Sequence, residues 1–469
     1  MQNDLYSTSY DRNACKIGVV HLGYGAFHRA HQAVYLDDYM QVSGDLRWGV
    51  AAVNLRAGES NDFATNADVE NGYIVKSFAP DGAEKLRQVR AHLSFHDWAV
   101  DPVDAENLLC NPDVHMVTLT VTESGYYGDA AGVLDPNAET IKTEIAGGPS
   151  RSVYAYLSAA LNLRRIQIDQ PITILCCDNI QQNGLKLRDN MMSYLSITGQ
   201  DKLLNWMRNH VTFPCSMVDR ITPRLTADMR HQIEADLGPQ SAAPIIAEAF
   251  SHWVLERNFA GPMPQLDQVG VIVTDDVHPF EEAKIRILNG GHTCLTYLAA
   301  LKGMDTFDAA MCDPELRAHF TAYETQEVLF GITFDLPFDK SAYLADITAR
   351  FGNQAIGDTI ARICADGMVK FPIFIRPTLR DCLRQGHIPR HGLRSVASWY
   401  VFAKHVAAGR IPFKYVEPGW DEIVHLIKDP SMDRFVLSTK LWGDLPETYP
   451  EFARTLRASI TEVETQWPV

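Results

Sequence analysis

The 469-residue sequence has no run of lysine or arginine, no apolar stretch long enough to span a bilayer and no cysteine pair at C-x-x-C spacing. Each absence removes a class of function. With 42 Lys+Arg against 58 Asp+Glu, the formal net charge is −16, which repels nucleic-acid phosphates and anionic membranes. An anionic ligand would have to be met by local positive charge. A membrane-spanning helix needs about 20 consecutive apolar residues, and the opening Met1-Gln2-Asn3-Asp4 lacks the basic and apolar regions of a signal peptide. The expected location is the cytoplasm, with neither membrane nor nucleic acid as a partner. The nine cysteines, an odd number, are scattered, which in a reducing compartment argues for free thiols and against a structural zinc. Among 16 histidines there is no H-E-x-x-H. His28-Arg29-Ala30-His31 has helical i,i+3 spacing without a third ligand nearby, so one ring is expected in the core and one at the surface. No metal is expected.

What is present is ordinary for a globular protein, at 46% hydrophobic and 21% charged residues. The length exceeds what one core usually holds, so two domains are expected. The apolar run Ile17-Gly18-Val19-Val20-His21-Leu22 leads into Gly23-Tyr24-Gly25-Ala26-Phe27-His28. Strand, glycine turn and helix in that order would present the backbone of Gly23, Gly25, Ala26 and Phe27 to a pyrophosphate at a helix N-terminus. The G-x-G-x-x-G pattern is incomplete because His28 stands at the third glycine, so the turn alone does not separate a nucleotide loop from a tight turn. A second strand over residues 48–54 is followed by Glu59, placed to take the adenosine ribose, and by Arg56, which would instead welcome a 2′-phosphate. A strand over 116–122 ends at Glu123, and another over 171–177 ends at Asp178-Asn179, with a helix over 152–167 between them. This alternation predicts a parallel sheet covered on both faces.

After Phe280 strand signals fade, and apolar residues recur at helical spacing over 293–301, 341–351, 357–365, 396–408 and 421–427. The expected organisation is a dinucleotide-binding domain over 1–278 and a mostly helical substrate domain over 279–469, with the active site in the cleft between. The second half begins with Pro279-Phe280-Glu281-Glu282-Ala283-Lys284-Ile285-Arg286-Ile287-Leu288-Asn289-Gly290-Gly291-His292. Proline suits a helix start. At roughly 100° per residue, Lys284, His292 and Asn289 fall near about 0°, 80° and 140°, on one side of the helix. On spacing alone two readings stand. One is an amine desolvated among apolar neighbours and able to act as a base; the other is a solvated helix lysine followed by a kink at Asn289-Gly290-Gly291.

Five ordered blocks then carry a resemblance across nearly the whole chain. They are residues 21–32, Thr122-Glu123-Ser124-Gly125-Tyr126, Cys177-Asp178-Asn179 with Asn183-Gly184, Phe213-Pro214 with Met217-Val218-Asp219-Arg220-Ile221-Thr222-Pro223, and Lys284-x4-Asn289-x2-His292. Together they resemble the polyol-specific long-chain dehydrogenase/reductase family. The resemblance implies a zinc-free NAD(P)-dependent enzyme with a Rossmann-type parallel-sheet domain followed by a mostly α-helical C-terminal domain. It implies Lys284 as general base, Asn179 and Asn289 as holders of the alkoxide, and His292 on the substrate hydroxyl. Glu123 would relay the proton, Asp219 would touch substrate or lysine, and Arg362 and Lys370 would grip the substrate chain. Gly291 departs from the serine expected there. Glu59 matches the NAD-selecting position, so NAD is expected before NADP.

The expected reaction interconverts a secondary alcohol of a sugar alcohol, of mannitol or arabinitol type, with its ketose. Two alternatives stay open: a fructuronate or tagaturonate reductase forming an aldonate, and, in another class, a sugar- or nucleotide-binding protein without turnover. A monomer or a small homo-oligomer is compatible with the pattern.

Overall fold

The computed structural model describes residues 5–67, 71–129, 132–223, 225–237 and 243–468, without the side chains of Glu123, Gln232 and Asp236. By its internal contacts the chain divides into one unit of Met1–Ala79 with Ala83–His278 and a second of Pro80–Gly82 with Pro279–Val469.

In the first unit the described strands are β1 (Leu5–Ser7), β2 (Ile17–Leu22), β3 (Gly49–Asn54), β4 (Tyr73–Phe78), β5 (Glu84–Val89), β6 (His92–Asp97), β7 (Met116–Leu119), β8 (Ile172–Cys176), β9 (Val211–Thr212), β10 (Ser216–Asp219), β11 (Ile245–Glu248), β12 (His252–Glu256) and β13 (Ile272–Thr274). Six form a parallel sheet in the order β6-β3-β2-β7-β8-β9, which is the doubly wound arrangement of dinucleotide-binding folds. Its central strands are buried throughout, as strands covered on both faces must be. Adjacent residues serve opposite cores: Val20, Val117 and Ile174 pack on one face, and Val19, Met116 and Leu175 on the other. The helix Val153–Gln167 starts where Ser152 accepts a hydrogen bond from the Ala155 N–H, an N-cap worth about 1 kcal/mol. The strand order reverses between β2 and β7. At such a switch point the carboxyl ends of the strands leave a crevice for a ligand, and the Gly23 turn and the segment after Leu119 both lie there.

Two further sheets went unread in the sequence. One runs β1-β5-β4-β11 and the other β10-β12-β13. The first is built around an antiparallel pair, β4 with β5. β5 reads Glu-Lys-Leu-Arg-Gln-Val, which on the page looks like a solvated loop. The strand read over 116–122 ends at Leu119, because Thr122 has turned into positive φ.

The histidine pair is corrected. His28 and His31 are both fully buried. The short helix Ala26–Ala30 ends at His31, where φ −119° and ψ −88° break the i,i+3 relation. A third ring does approach: His92 Nε2 lies 3.0 Å from His28 Nε2, and His21 stacks on His28 at 3.3 Å. Burial, together with the neighbouring rings, pushes His21 and His28 far below the ordinary imidazole value, and burial first holds His92 at about 3, so the trio is neutral. Among the described residues no group of three or more side chains could hold a metal ion, and no helix is long and apolar enough to cross a membrane. All nine cysteines are free thiols.

In the second unit the described elements are helical. Helix Arg390–Ala407 packs against Gly290–Leu301 and Pro450–Gln466, around the buried rings of Phe371, Trp399, Tyr297 and Trp442. Gly367 is required there, since a Cβ would stand 2.5 Å from Trp399 Nε1. The helix expected over 357–365 shrinks to Ile360–Ile363, capped by the Thr359 hydroxyl.

Candidate active site

The residues singled out in the sequence lie at or just beyond strand ends in the first unit and on three helical stretches in the second. Gly23 ends β2 with φ +94°, and a Cβ would meet the Thr120 carbonyl oxygen at 2.4 Å, so only glycine fits. Gly25 precedes helix Ala26–Ala30, with nothing within 4 Å of an added Cβ. The loop surface is therefore bare at the switch point. At the end of β3, Arg56 and Glu59 pair with each other at 3.0 Å, both about half exposed. Arg56 also donates to the Val121 carbonyl at 3.0 Å. The charge that would welcome a 2′-phosphate and the charge that would repel it thus offset one another.

Glu123 opens a 3-10 turn, Glu123–Tyr126, and its side chain lies outside the described residues. Asn179 is exposed on the bend that follows β8. That bend is fixed by Asn183. Its Nδ2 donates to the Asp178 carbonyl at 3.1 Å and the Ser216 carbonyl at 2.9 Å, while its Oδ1 accepts from Ser216 N at 2.9 Å. Gly184 lies against the Phe213 and Pro214 carbonyls, which a Cβ would approach to 2.5 and 2.4 Å. The paired Asn183-Gly184 and Phe213-Pro214 blocks are therefore one knot that joins the Asn179 bend to β10. Asp219, 4% exposed, closes β10 opposite His252. The next residue, Arg220, donates to the Glu248 carbonyl at 3.0 Å and to the Ala30 carbonyl.

In the second unit the helix does not run at α pitch. His278–Ala283 is α, Lys284–Asn289 is π, and Gly290–Leu301 is α again. The 100° reckoning therefore fails over the segment that matters. With i→i+5 bonding, Asn289 comes round over Lys284 instead of standing about 140° away, so amine and amide share a face more closely than expected. Lys284 is 7% exposed. Arg286, on the same segment, is buried and anchors it to helix Arg376–Arg384 through Asp381 Oδ2 at 2.7 Å.

The glycine pair is a seat and not a kink. A Cβ on Gly290 would press on the Phe374 carbonyl at 3.2 Å, and one on Gly291 would meet Glu324 Oε1 at 2.8 Å and Phe320 at 2.9 Å. Phe374 and Glu324 belong to further π segments, Phe371–Ile375 and Glu324–Val328. Such segments recur at functional sites.

His292 stacks on Phe351 at 4.0 Å and meets Phe307 edge-on at 4.6 Å. Burial first, with Arg362, Arg350 and Lys370 adding to it and Asp358 opposing, pushes the ring down to about 3. It is a neutral imidazole that can donate one hydrogen bond and accept another. Arg362 is held by both oxygens of buried Asp358, with Nε at 2.6 Å from Oδ1. Lys370 donates to the Ile363 carbonyl at 2.8 Å, and burial lowers its ammonium, with Asp366 opposing and Arg362 assisting. Reading the sequence missed Asp358, although its i,i+4 spacing to Arg362 was visible. It also missed what Asp178 and Asn183 do, although Asp178 stands at a strand end beside Asn179 and Asn183 opens the helix Asn183–Ile197 that follows.

A doubly wound nucleotide-type unit with polar groups at its switch point, and a helical unit carrying a buried lysine, amide and neutral histidine, define an oxidoreductase architecture. Residues 17–268 match the model of the mannitol dehydrogenase Rossmann domain and residues 276–464 that of the mannitol dehydrogenase C-terminal domain. The chain belongs to the mannitol dehydrogenase family of polyol oxidoreductases. It is 33% identical over 450 residues to the D-arabinitol 4-dehydrogenase of Klebsiella pneumoniae, covering 95% of this chain and 98% of that one. It is 34% identical over 403 residues to the D-mannonate oxidoreductase of Escherichia coli K12, covering 85% and 82%. The solved structure of Pseudomonas fluorescens mannitol 2-dehydrogenase, a ternary complex with NAD and D-mannitol, superposes with a TM-score of 0.87 at 30% identity, covering 98% of this chain and 94% of that one.

Proposed function

We propose that the protein is an NAD-dependent dehydrogenase that interconverts a secondary alcohol of a neutral sugar alcohol with the corresponding ketose. The observation that carries the choice of a neutral substrate is the state of Arg362. A uronate would need a guanidinium free to grip its carboxylate bidentately, and this one already holds Asp358 in that way, while Lys370 is engaged by a carbonyl. Hydroxyl groups ask only for single hydrogen bonds.

The residues present fit a dinucleotide. Gly25 is bare of neighbours and Gly23 lets the chain turn tightly, so the pyrophosphate can approach backbone N–H groups of Gly23, Gly25, Ala26 and Phe27. Glu59 would take the adenosine ribose and disfavour NADP. When bound, the nicotinamide supplies the hydride acceptor, which no side chain provides.

The protein's own part is proton and charge management. Lys284, desolvated on its π segment, takes the hydroxyl proton. Asn179 and Asn289 donate to the alkoxide as its charge grows. His292, kept neutral, hydrogen-bonds the substrate hydroxyl, and Glu123 passes the proton onward. Asp219 orients lysine or substrate.

The test follows NADH and NADPH absorbance with mannitol, arabinitol, sorbitol, fructose, fructuronate and tagaturonate in both directions. Turnover of neutral polyols and ketoses with NAD supports the reading. Turnover confined to the uronates would replace it with the reductase alternative. Loss of Lys284 should lower turnover by about 10²–10⁴ with cofactor binding intact. An unchanged rate in Lys284→Ala would remove the lysine from the chemistry, and a parent protein that turns over none of the panel would leave the binding-protein alternative.

A further inference from the structure

We propose that Asp178 is a positioning residue for this reaction: its carboxylate holds the turn that carries Glu123 and ties it to the strand end that carries Asn179. The inference rests on the dehydrogenase reading and goes beyond it, because that reading gives Asp178 no part.

Asp178 is 9% exposed, and its carboxylate takes at least three donors. Oδ2 accepts from Val121 N at 2.9 Å and from the Tyr126 hydroxyl at 2.5 Å, and Oδ1 accepts from Thr122 N at 3.0 Å. Two successive backbone N–H groups, of Val121 and Thr122, thus meet on one carboxylate. They are where the chain needs holding. Thr122 sits at φ 66°, ψ 161°, a region that is essentially glycine's and costs about 1–3 kcal/mol for another residue. Such a conformation persists only where its surroundings over-determine it. Arg56 on the Val121 carbonyl and Tyr154 on the Tyr126 carbonyl, at 3.0 and 2.9 Å, hold the same turn from the other side.

β7 and β8 are neighbours, with Leu119 opposite Cys176. Two residues beyond the end of β8, Asp178 thus reaches the end of β7, while the next residue, Asn179, is exposed. The two consecutive residues divide the work: the acid fixes the crevice wall and the amide lines it.

The test uses Asp178→Asn and Tyr126→Phe in the full-length protein. An asparagine keeps the shape but turns an NH₂ towards backbone N–H donors. In Asp178→Asn, kcat should fall by about 10²-fold, the loss a misplacement near 1 Å produces, with the polyol KM within about threefold and the pH dependence of kcat altered. The fall in Tyr126→Phe should be smaller. In a Glu123→Gln background the same asparagine should cost less than about threefold, because a residue that acts through Glu123 is non-additive with it. Hydrogen exchange of the Val121 and Thr122 amides, read without any substrate, should accelerate in Asp178→Asn. An unchanged kcat and pH profile in Asp178→Asn, additive losses in the double variant, or amides that exchange as in the parent would each overturn the proposal. A parent protein inactive on every polyol, ketose and uronate would instead overturn the dehydrogenase reading, and amide exchange would still decide whether the carboxylate holds the turn.

Discussion

Glu324 opens a π segment in the second unit, is fully buried, and has no hydrogen-bond partner for either oxygen among the described residues. Burial raises its carboxyl well above the ordinary 4.5, against the pull of Arg286. A group whose folded pKa is raised in this way binds its proton more tightly in the folded protein. Stability is then highest below the unfolded pKa and falls as pH rises towards the folded one. Each pH unit above 4.5 costs about 1.4 kcal/mol while the proton stays on. Glutamine has the same volume and stays neutral at no such cost. Glu324→Gln should therefore stabilise the protein and raise its melting temperature, by more at pH 7 than at pH 6. Thermal and urea unfolding of parent and variant between pH 6 and 8 measure it. A variant equal to or weaker than the parent at pH 7, or a difference that does not widen with pH, would show that the carboxylate is ionised and partnered, and the reasoning would fail.

Five desolvated histidines act with the opposite sign. Burial is the leading cause for each, placing His92, His292 and His319 at about 3 and His21 and His28 well below 6.5. The unfolded chain then takes up protons that the folded one refuses, so stability present above pH 6.5 should be lost as pH falls towards 3, at about 1.4 kcal/mol per ring per unit; urea titrations at pH 7, 6 and 5 should show the midpoint dropping steeply. Gly184→Ala places a Cβ against two backbone carbonyls that cannot withdraw, and should cost upwards of about 3 kcal/mol, seen as loss of soluble expression or a much lower melting temperature. Arg362→Ala should change KM by similar factors for polyols and any uronate tested, since its guanidinium already serves Asp358; a rise confined to the uronate would restore the carboxylate-gripping role. Glu59→Gln should leave Arg56 unpaired and shift the NADPH/NADH preference of kcat/KM towards NADPH by about tenfold, as loss of one charge interaction near 1.4 kcal/mol would do; an unmoved ratio would take Glu59 out of cofactor selection.

How far the sequence could be read follows from which forces leave a local trace. Ile17–Leu22, Gly49–Asn54 and Ile172–Cys176 were legible because strands buried on both faces read as nearly continuous apolar runs, and the helix read over 152–167 is the helix Val153–Gln167 behind its Ser152 cap. β5, with its Glu-Lys and Arg-Gln, left no such trace: its ladder partners, β1 and β4, lie outside its own window. The candidate residues were legible as types, since amine, amide and imidazole at short spacing advertise chemistry, but their geometry was not. The π segment at Lys284 depends on what holds it from outside: Asp381 on Arg286, the Phe374 carbonyl on Gly290 and Glu324 on Gly291. None of those partners is near in sequence, so the same residues read at α pitch leave Asn289 on the flank of Lys284. Gly290 and Gly291 show the same limit from the other side. Alone they suggest a break, because glycine weakens a helix by about 1 kcal/mol. In place they let the Phe374 carbonyl, the Glu324 carboxyl and the Phe320 ring approach more closely than a Cβ would allow, so the pair that looks like the end of the helix lies inside it, where other helical stretches pack against it.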